Sequence, residues 1–133
     1  MTEEVTRFIQ RAEHALKVAQ DLMEDGYPSD AASKIYYSMF YAAQALLKSE
    51  GINVVKHSAV ESAIGYHFAK AGRIDPKYHR MLINARKIRE IADYDIHEEI
   101  VEPVASLKIE EGKAFLGTIK GLLSSSGKIS DES

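Results

Sequence analysis

The sequence has no cysteine, no tryptophan, three prolines, three glutamines and two asparagines. It also has no apolar run near the ~20 residues that a membrane span requires. Without thiols there can be no disulfide, thiolate zinc site or cysteine nucleophile, and the absence suits a reducing, cytoplasmic setting. The N-terminus lacks the apolar stretch of a signal peptide. Scarce Asn and Gln, both thermolabile, hint at a hot habitat. Charge of one sign is also missing. There are 17 Lys and Arg against 20 Asp and Glu, a net −3, with 45% hydrophobic residues, which argues against disorder over most of the chain. At 133 residues, a second domain would leave each half too small to bury a core.

Motif chemistry is sparse too. Neither GxGxxG nor a Walker loop occurs, so nothing in the sequence supports nucleotide binding of the Rossmann or P-loop kind. Five histidines (His14, His57, His67, His79 and His97) form no HExxH pair and no Glu-x-x-His pair of the di-iron type. No nucleophile motif of a hydrolase is present. Neither a metal nor a cofactor is expected.

What is present is helical period. Val5, Phe8, Ile9, Ala12, Ala15, Leu16, Ala19, Leu22 and Met23 form one apolar stripe at three- and four-residue steps. Thr2 can cap that helix and Gly26 can stop it in left-handed geometry. Pro28-Ser29-Asp30 opens a second helix running to Gly51. A third is expected from Ser58, where Ser58 and Glu61 have capping-box spacing, to Gly72. Asp75-Pro76 opens a fourth that reaches about Ala92. A fifth covers roughly residues 102–123, with Phe115, Leu116, Ile119, Leu122 and Leu123 on one side. The expected fold is all-α, an antiparallel up-and-down bundle of four to five helices in a single domain over residues 1–123. Residues 124–133, serine-rich and without an apolar face, read as a disordered tail.

The second helix carries apolar groups on two flanks. Ala32, Ile35, Tyr36, Met39, Ala43, Leu46 and Leu47 make a full core stripe, yet Lys34, Tyr37, Tyr41, Gln44, Ala45 and Lys48 lie opposite. That second flank could be a snorkelling surface, a stacking platform for single-stranded RNA, or a self-association seam. The seam is the reading adopted, because tyrosines are common at interfaces and two-fold dimers are the commonest oligomers.

Charge is segregated along the chain. Residues 70–90 hold seven basic and two acidic side chains, a net +5, and residues 91–111 hold seven acidic and one basic, a net −6. A solvated face with internal ion pairs, a phosphate-binding strip and a face for an acidic protein partner all fit. Arg89 stands out, at the edge of the apolar stripe Tyr78, Met81, Leu82, Ala85, Ile88 and Ala92. A partly desolvated guanidinium there needs a partner, and Asp93 lies one turn on. Lys56, His57 and the free amides at the start of the third helix could together hold an anion.

Four stretches resemble one family. Asp30-Ala-Ala-Ser-Lys-Ile-Tyr-Tyr-Ser-Met-Phe-Tyr-Ala-Ala-Gln-Ala-Leu-Leu47 resembles the second helix of HEPN domains ("higher eukaryotes and prokaryotes nucleotide-binding"). Lys56-His57-Ser58, His67-Phe68-Ala69-Lys70-Ala71-Gly72 and Arg89-Glu-Ile-Ala-Asp-Tyr-Asp95 add to it. The likeness is to the small stand-alone archaeal and bacterial branch, across about residues 5–123. It implies a helical bundle that dimerises, and a toxin–antitoxin-type pairing with a minimal nucleotidyltransferase. Active members are metal-independent ribonucleases in which an arginine is followed, after four to six residues, by a histidine. The arginine stabilises phosphorane charge and the histidine moves a proton. Here seven residues separate Arg89 from His97, one beyond that window, and Tyr94 stands inside it. Lys34 stands where many relatives have arginine. The resemblance therefore implies an RNA- or nucleotide-binding homodimer with Arg89, Asp93, Lys34, Tyr37 and His57 at the site, ribonuclease activity being doubtful. Two alternatives remain: an active toxin ribonuclease using Arg89 and His97 with Tyr94, and a protein-interaction module that touches no nucleic acid.

Overall fold

Thr2 begins the first helix by accepting a hydrogen bond from the Val5 amide at 3.3 Å. The computed structural model describes residues 2–128. Helix α1, Glu3–Glu24, ends at Gly26, whose φ of 86° is strained for any residue with a Cβ. Pro28 fills the first turn of α2, Pro28–Ser49, and the tight connection folds α2 back along α1.

Helix α2 is the axis of the molecule, with α1, α3, α4 and α5 all packing on it. Its core stripe is buried, as the periodicity requires, and so is much of the flank opposite. Gln44 and Ala45 are buried, and Tyr37 and Tyr41 are half-buried against the same core. Of the flank read as a seam for a twin subunit, Gln44 and Ala45 are taken up by the chain's own core, while Lys34, Tyr37 and Tyr41 keep exposed surface. A central helix in a five-helix bundle needs apolar residues almost all round, and the chain's own helices cover most of them. Two details show how closely they approach. Ser38 inside α2 donates to the Ala12 carbonyl at 2.7 Å, and a Cβ on Gly112 of α5 would stand 3.1 Å from Cδ1 of Ile35.

Helix α3 spans His57–Ile64 and starts after an extended Lys56, with no side-chain cap. The capping-box reading of Ser58 is therefore corrected: Ser58 lies inside the helix, and Glu61 is drawn instead to Arg86. A π-helical turn, Gly65–Ala69, extends α3, and Gly72 closes the segment at φ 75°. Asp75 caps α4, Pro76–Tyr94, by accepting from the Lys77 amide at 2.9 Å. That helix runs two residues past the expected Ala92. In the connection that follows, Asp95 accepts from the amides of His97 and Glu98, and the Ile100 amide donates to Ser29.

Helix α5, Glu102–Ser125, lies along α1 and α2. Ser124 and Ser125, expected in a disordered tail, complete this helix, and the Lys128 amine reaches the Ser49 carbonyl at 2.9 Å. The rest of that expected tail, residues 129–133, lies outside the described residues. Five α-helices and no strand occur among the described residues, in keeping with the all-α bundle. No helix among them is long and apolar enough to cross a membrane.

Candidate nucleotide site

The site is built where α4 crosses α2. The i, i+4 spacing that puts Ile88 and Ala92 against the core leaves Arg89 at its margin, with only 13% of its side chain exposed. Its guanidinium carbon lies 5.3 Å from the ring centre of Tyr36, 5.7 Å from that of Tyr37 and 5.8 Å from that of Tyr94. Three aromatic rings thus wall one cation, an attraction that strengthens as water is excluded. Nη1 stands 3.5 Å from the Tyr37 hydroxyl and 3.7 Å from the Asp93 carboxylate, which also accepts from Ser33 at 3.2 Å. Burial disfavours the charged guanidinium, but Tyr37, Tyr94, Asp93 and Tyr36 outweigh it and hold the pKa above the ordinary value. The charge is retained. Yet Nε of Arg89 is buried and meets no acceptor among the described residues.

His57, from the first turn of α3, completes the cluster. Its ring stacks on Phe40 at 4.3 Å and meets Tyr37 edge-on at 6.2 Å, and its Nδ1 is 2.5 Å from the Tyr36 hydroxyl. Burial drives the Tyr36 pKa up, so its proton stays on and the hydroxyl donates. Nδ1 must then accept, which leaves the imidazole proton on Nε2. Desolvation and the nearby Arg89 charge push the His57 pKa below its usual value. A neutral ring at neutral pH follows.

Of the residues expected from sequence, Arg89, Asp93, Tyr94, Tyr37 and His57 come together. Lys34 lies one turn before Tyr37 on α2, exposed at the rim. His97 does not join them: it is exposed on the connection after α4, and its backbone amide is what is engaged. Sequence reasoning missed Tyr36, taken as plain core although its hydroxyl bridges α2 to α3. The available signal was chemical, since a fully buried tyrosine must find a partner for its O–H. It also missed Ser33 as the support of Asp93, and Glu61 as the partner of Arg86 at 2.5 Å. The basic strip proves partly paired: Arg73 binds Glu50, Arg86 binds Glu61 and Glu90, and Arg89 leans on Asp93.

Comparison with known proteins places relatives beside this geometry. A family model described as "HEPN domain" matches residues 5–128. A protein of Methanocaldococcus jannaschii named "Putative toxin MJ0142" is 33% identical over 129 residues, covering 97% of this chain and 88% of that one. A second from the same organism, "Putative toxin MJ0605", is 33% identical over 121 residues, covering 91% and 90%. "UPF0332 protein PH1297" of Pyrococcus horikoshii is 36% identical over 105 residues, covering 79% and 74%.

Proposed function

The chain belongs to the HEPN domain family, and on that footing we propose that it is a toxin-like module that binds RNA or nucleotide phosphate at Arg89. It works as a homodimer in the cytoplasm, paired with a minimal nucleotidyltransferase. One observation carries the binding reading: the Arg89 guanidinium keeps its charge among three aromatic rings, yet its nearest acceptors, the Tyr37 hydroxyl at 3.5 Å and the Asp93 carboxylate at 3.7 Å, hold it only loosely. A phosphate oxygen is the acceptor that a planar, loosely paired guanidinium fits best. Tyr94, 72% exposed, forms a wall that faces water and offers a ring on which a base can stack.

Dimerisation has support of its own. Ile96 at 90% exposure and Val101 at 57% lie on the connection between α4 and α5. Covering them with a second copy would remove apolar surface from water and draw two Arg89 residues toward one cleft. Light scattering tests this directly: the expected mass is twice 14.8 kDa, and 14.8 kDa would reject the dimer.

For binding, tRNA retention on a filter at low salt is compared between wild type, Arg89→Lys and Arg89→Ala. Lysine keeps the charge but loses the fork, so retention should fall in the order wild type, lysine, alanine. Equal retention by all three rejects the site. Salt-dependent retention would count against a pure protein-interaction role, because phosphate contacts weaken as salt rises.

A further inference from the structure

Beside Arg89 lies a groove of about 800 Å³ between α1 and α2. Two rows of side chains face each other across it. Arg7, Arg11 and His14 recur on α1 at steps of four and three, and Lys34, Tyr37 and Tyr41 recur on α2 at steps of three and four. Helical spacing puts each row on a single face. Arg7 is neutralised by Glu3 at 2.9 Å. Arg11, His14 and Lys34 are exposed and enter no ion pair among the described residues. The Arg11 guanidinium sits 5.7 Å from the ring of Tyr41, and Tyr37 is shared with the Arg89 cluster. In a chain of net −3, this groove carries a surplus of positive charge with tyrosine rings laid along its floor.

We infer that the α1–α2 groove is the track along which a single strand of nucleic acid approaches Arg89. The inference rests on the nucleic-acid reading of Arg89 for its direction, but on different residues for its evidence. Arg11 and Lys34, cations in no ion pair among the described residues, select a polyanion, and aromatic faces one helical turn apart select unpaired bases, which a duplex hides by stacking them internally. A second copy of the chain is a poorer occupant, because a two-fold contact would set the same unpaired cations against each other. An acidic peptide satisfies the charges and leaves the rings unused.

The test is fluorescence anisotropy with labelled oligouridine, using wild type, Arg11→Glu/His14→Glu and Arg89→Ala, each checked for an unchanged thermal transition. The groove variant places both changes at exposed positions, so it should fold. Its affinity should fall by about tenfold or more, and its log–log salt slope should shrink by about one for each phosphate no longer neutralised. Polyglutamate should compete poorly. Loss of binding in Arg89→Ala alone overturns the groove and leaves the Arg89 site standing. Loss in the groove variant alone upholds the groove and removes Arg89. Polyglutamate binding as tight as oligouridine overturns the inference, as does a groove variant that changes the mass by light scattering.

Discussion

The hydroxyl of Tyr36 lies 2.5 Å from Nδ1 of His57, and this one bond ties the buried centre of α2 to the start of α3. Tyr36 has no exposed surface, so its O–H has nowhere else to go. The bond also sets the tautomer of a histidine that shares both of its tyrosine neighbours with Arg89.

Breaking that bond from one side should cost more than removing it altogether. His57→Phe keeps a ring against Phe40 but strands the Tyr36 hydroxyl, a loss of about 1–3 kcal/mol in urea unfolding. Adding Tyr36→Phe should bring stability back toward wild type, since neither polar group is then left alone. A double variant less stable than His57→Phe would contradict the account.

Acid should weaken the fold through the same residue. The folded-state pKa of His57 lies below the unfolded value of about 6.5, so the unfolded chain takes up the proton first. Its contribution is complete above that value and drains away as pH falls through the folded pKa. Urea midpoints between pH 7.5 and pH 5 should drop in the wild type and drop less in His57→Phe. Parallel slopes would remove His57 from the explanation.

Two glycines on helices should respond unequally to alanine. At Gly65 a Cβ would come within 2.7 Å of the His79 ring, which is itself held by the Glu61 carbonyl at 3.0 Å. Gly65→Ala should therefore cost about 1–3 kcal/mol by overpacking. At Gly112 the neighbours are Cδ1 of Ile35 at 3.1 Å and its Cγ2 at 3.2 Å, a smaller intrusion, and alanine's helix preference returns roughly 1 kcal/mol against it. Thermal melts should show Gly112→Ala close to wild type and Gly65→Ala well below it.

Glu61 is the more buried half of its pair with Arg86, at 11% against 29% side-chain exposure. Glu61→Ala leaves Arg86 with the exposed Glu90 alone. Because Arg86 keeps some water, the loss should be about 1–3 kcal/mol, below that of a fully buried pair. A change under a few tenths by urea unfolding would show the pair to be idle.

His97→Ala is expected to alter little. Its ring is exposed, and the bond it anchors is made by its backbone, which alanine retains. Stability should stay within about 0.5 kcal/mol and RNA retention should match wild type. Incubation with tRNA then separates binding from cleavage: strand scission by wild type that disappears in both His97→Ala and Arg89→Ala would instead establish a ribonuclease using that pair.

Helix ends were legible wherever the chemistry was local. Thr2 as a cap, Gly26 as a stop and Asp75-Pro76 as a start appear where spacing put them. Ser58 was misread because capping-box spacing is also satisfied by a serine and a glutamate serving other ends, here Glu61 facing Arg86. The π-turn after α3 left no periodic trace; its nearest signature is Gly65, whose bare backbone lies against His79.

Sequence by itself determined the all-helical class, the order of the helices and the placing of Arg89 at the margin of an apolar stripe, because each follows from periodicity and from residues a few positions apart. Only the tertiary structure decided that both flanks of α2 are largely covered by the chain's own helices, that His57 rather than His97 shares its neighbours with Arg89, and that Arg11, His14 and Lys34 face one groove. Those relationships join residues twenty or more positions apart, and packing geometry, which no local pattern encodes, is what brings them within reach.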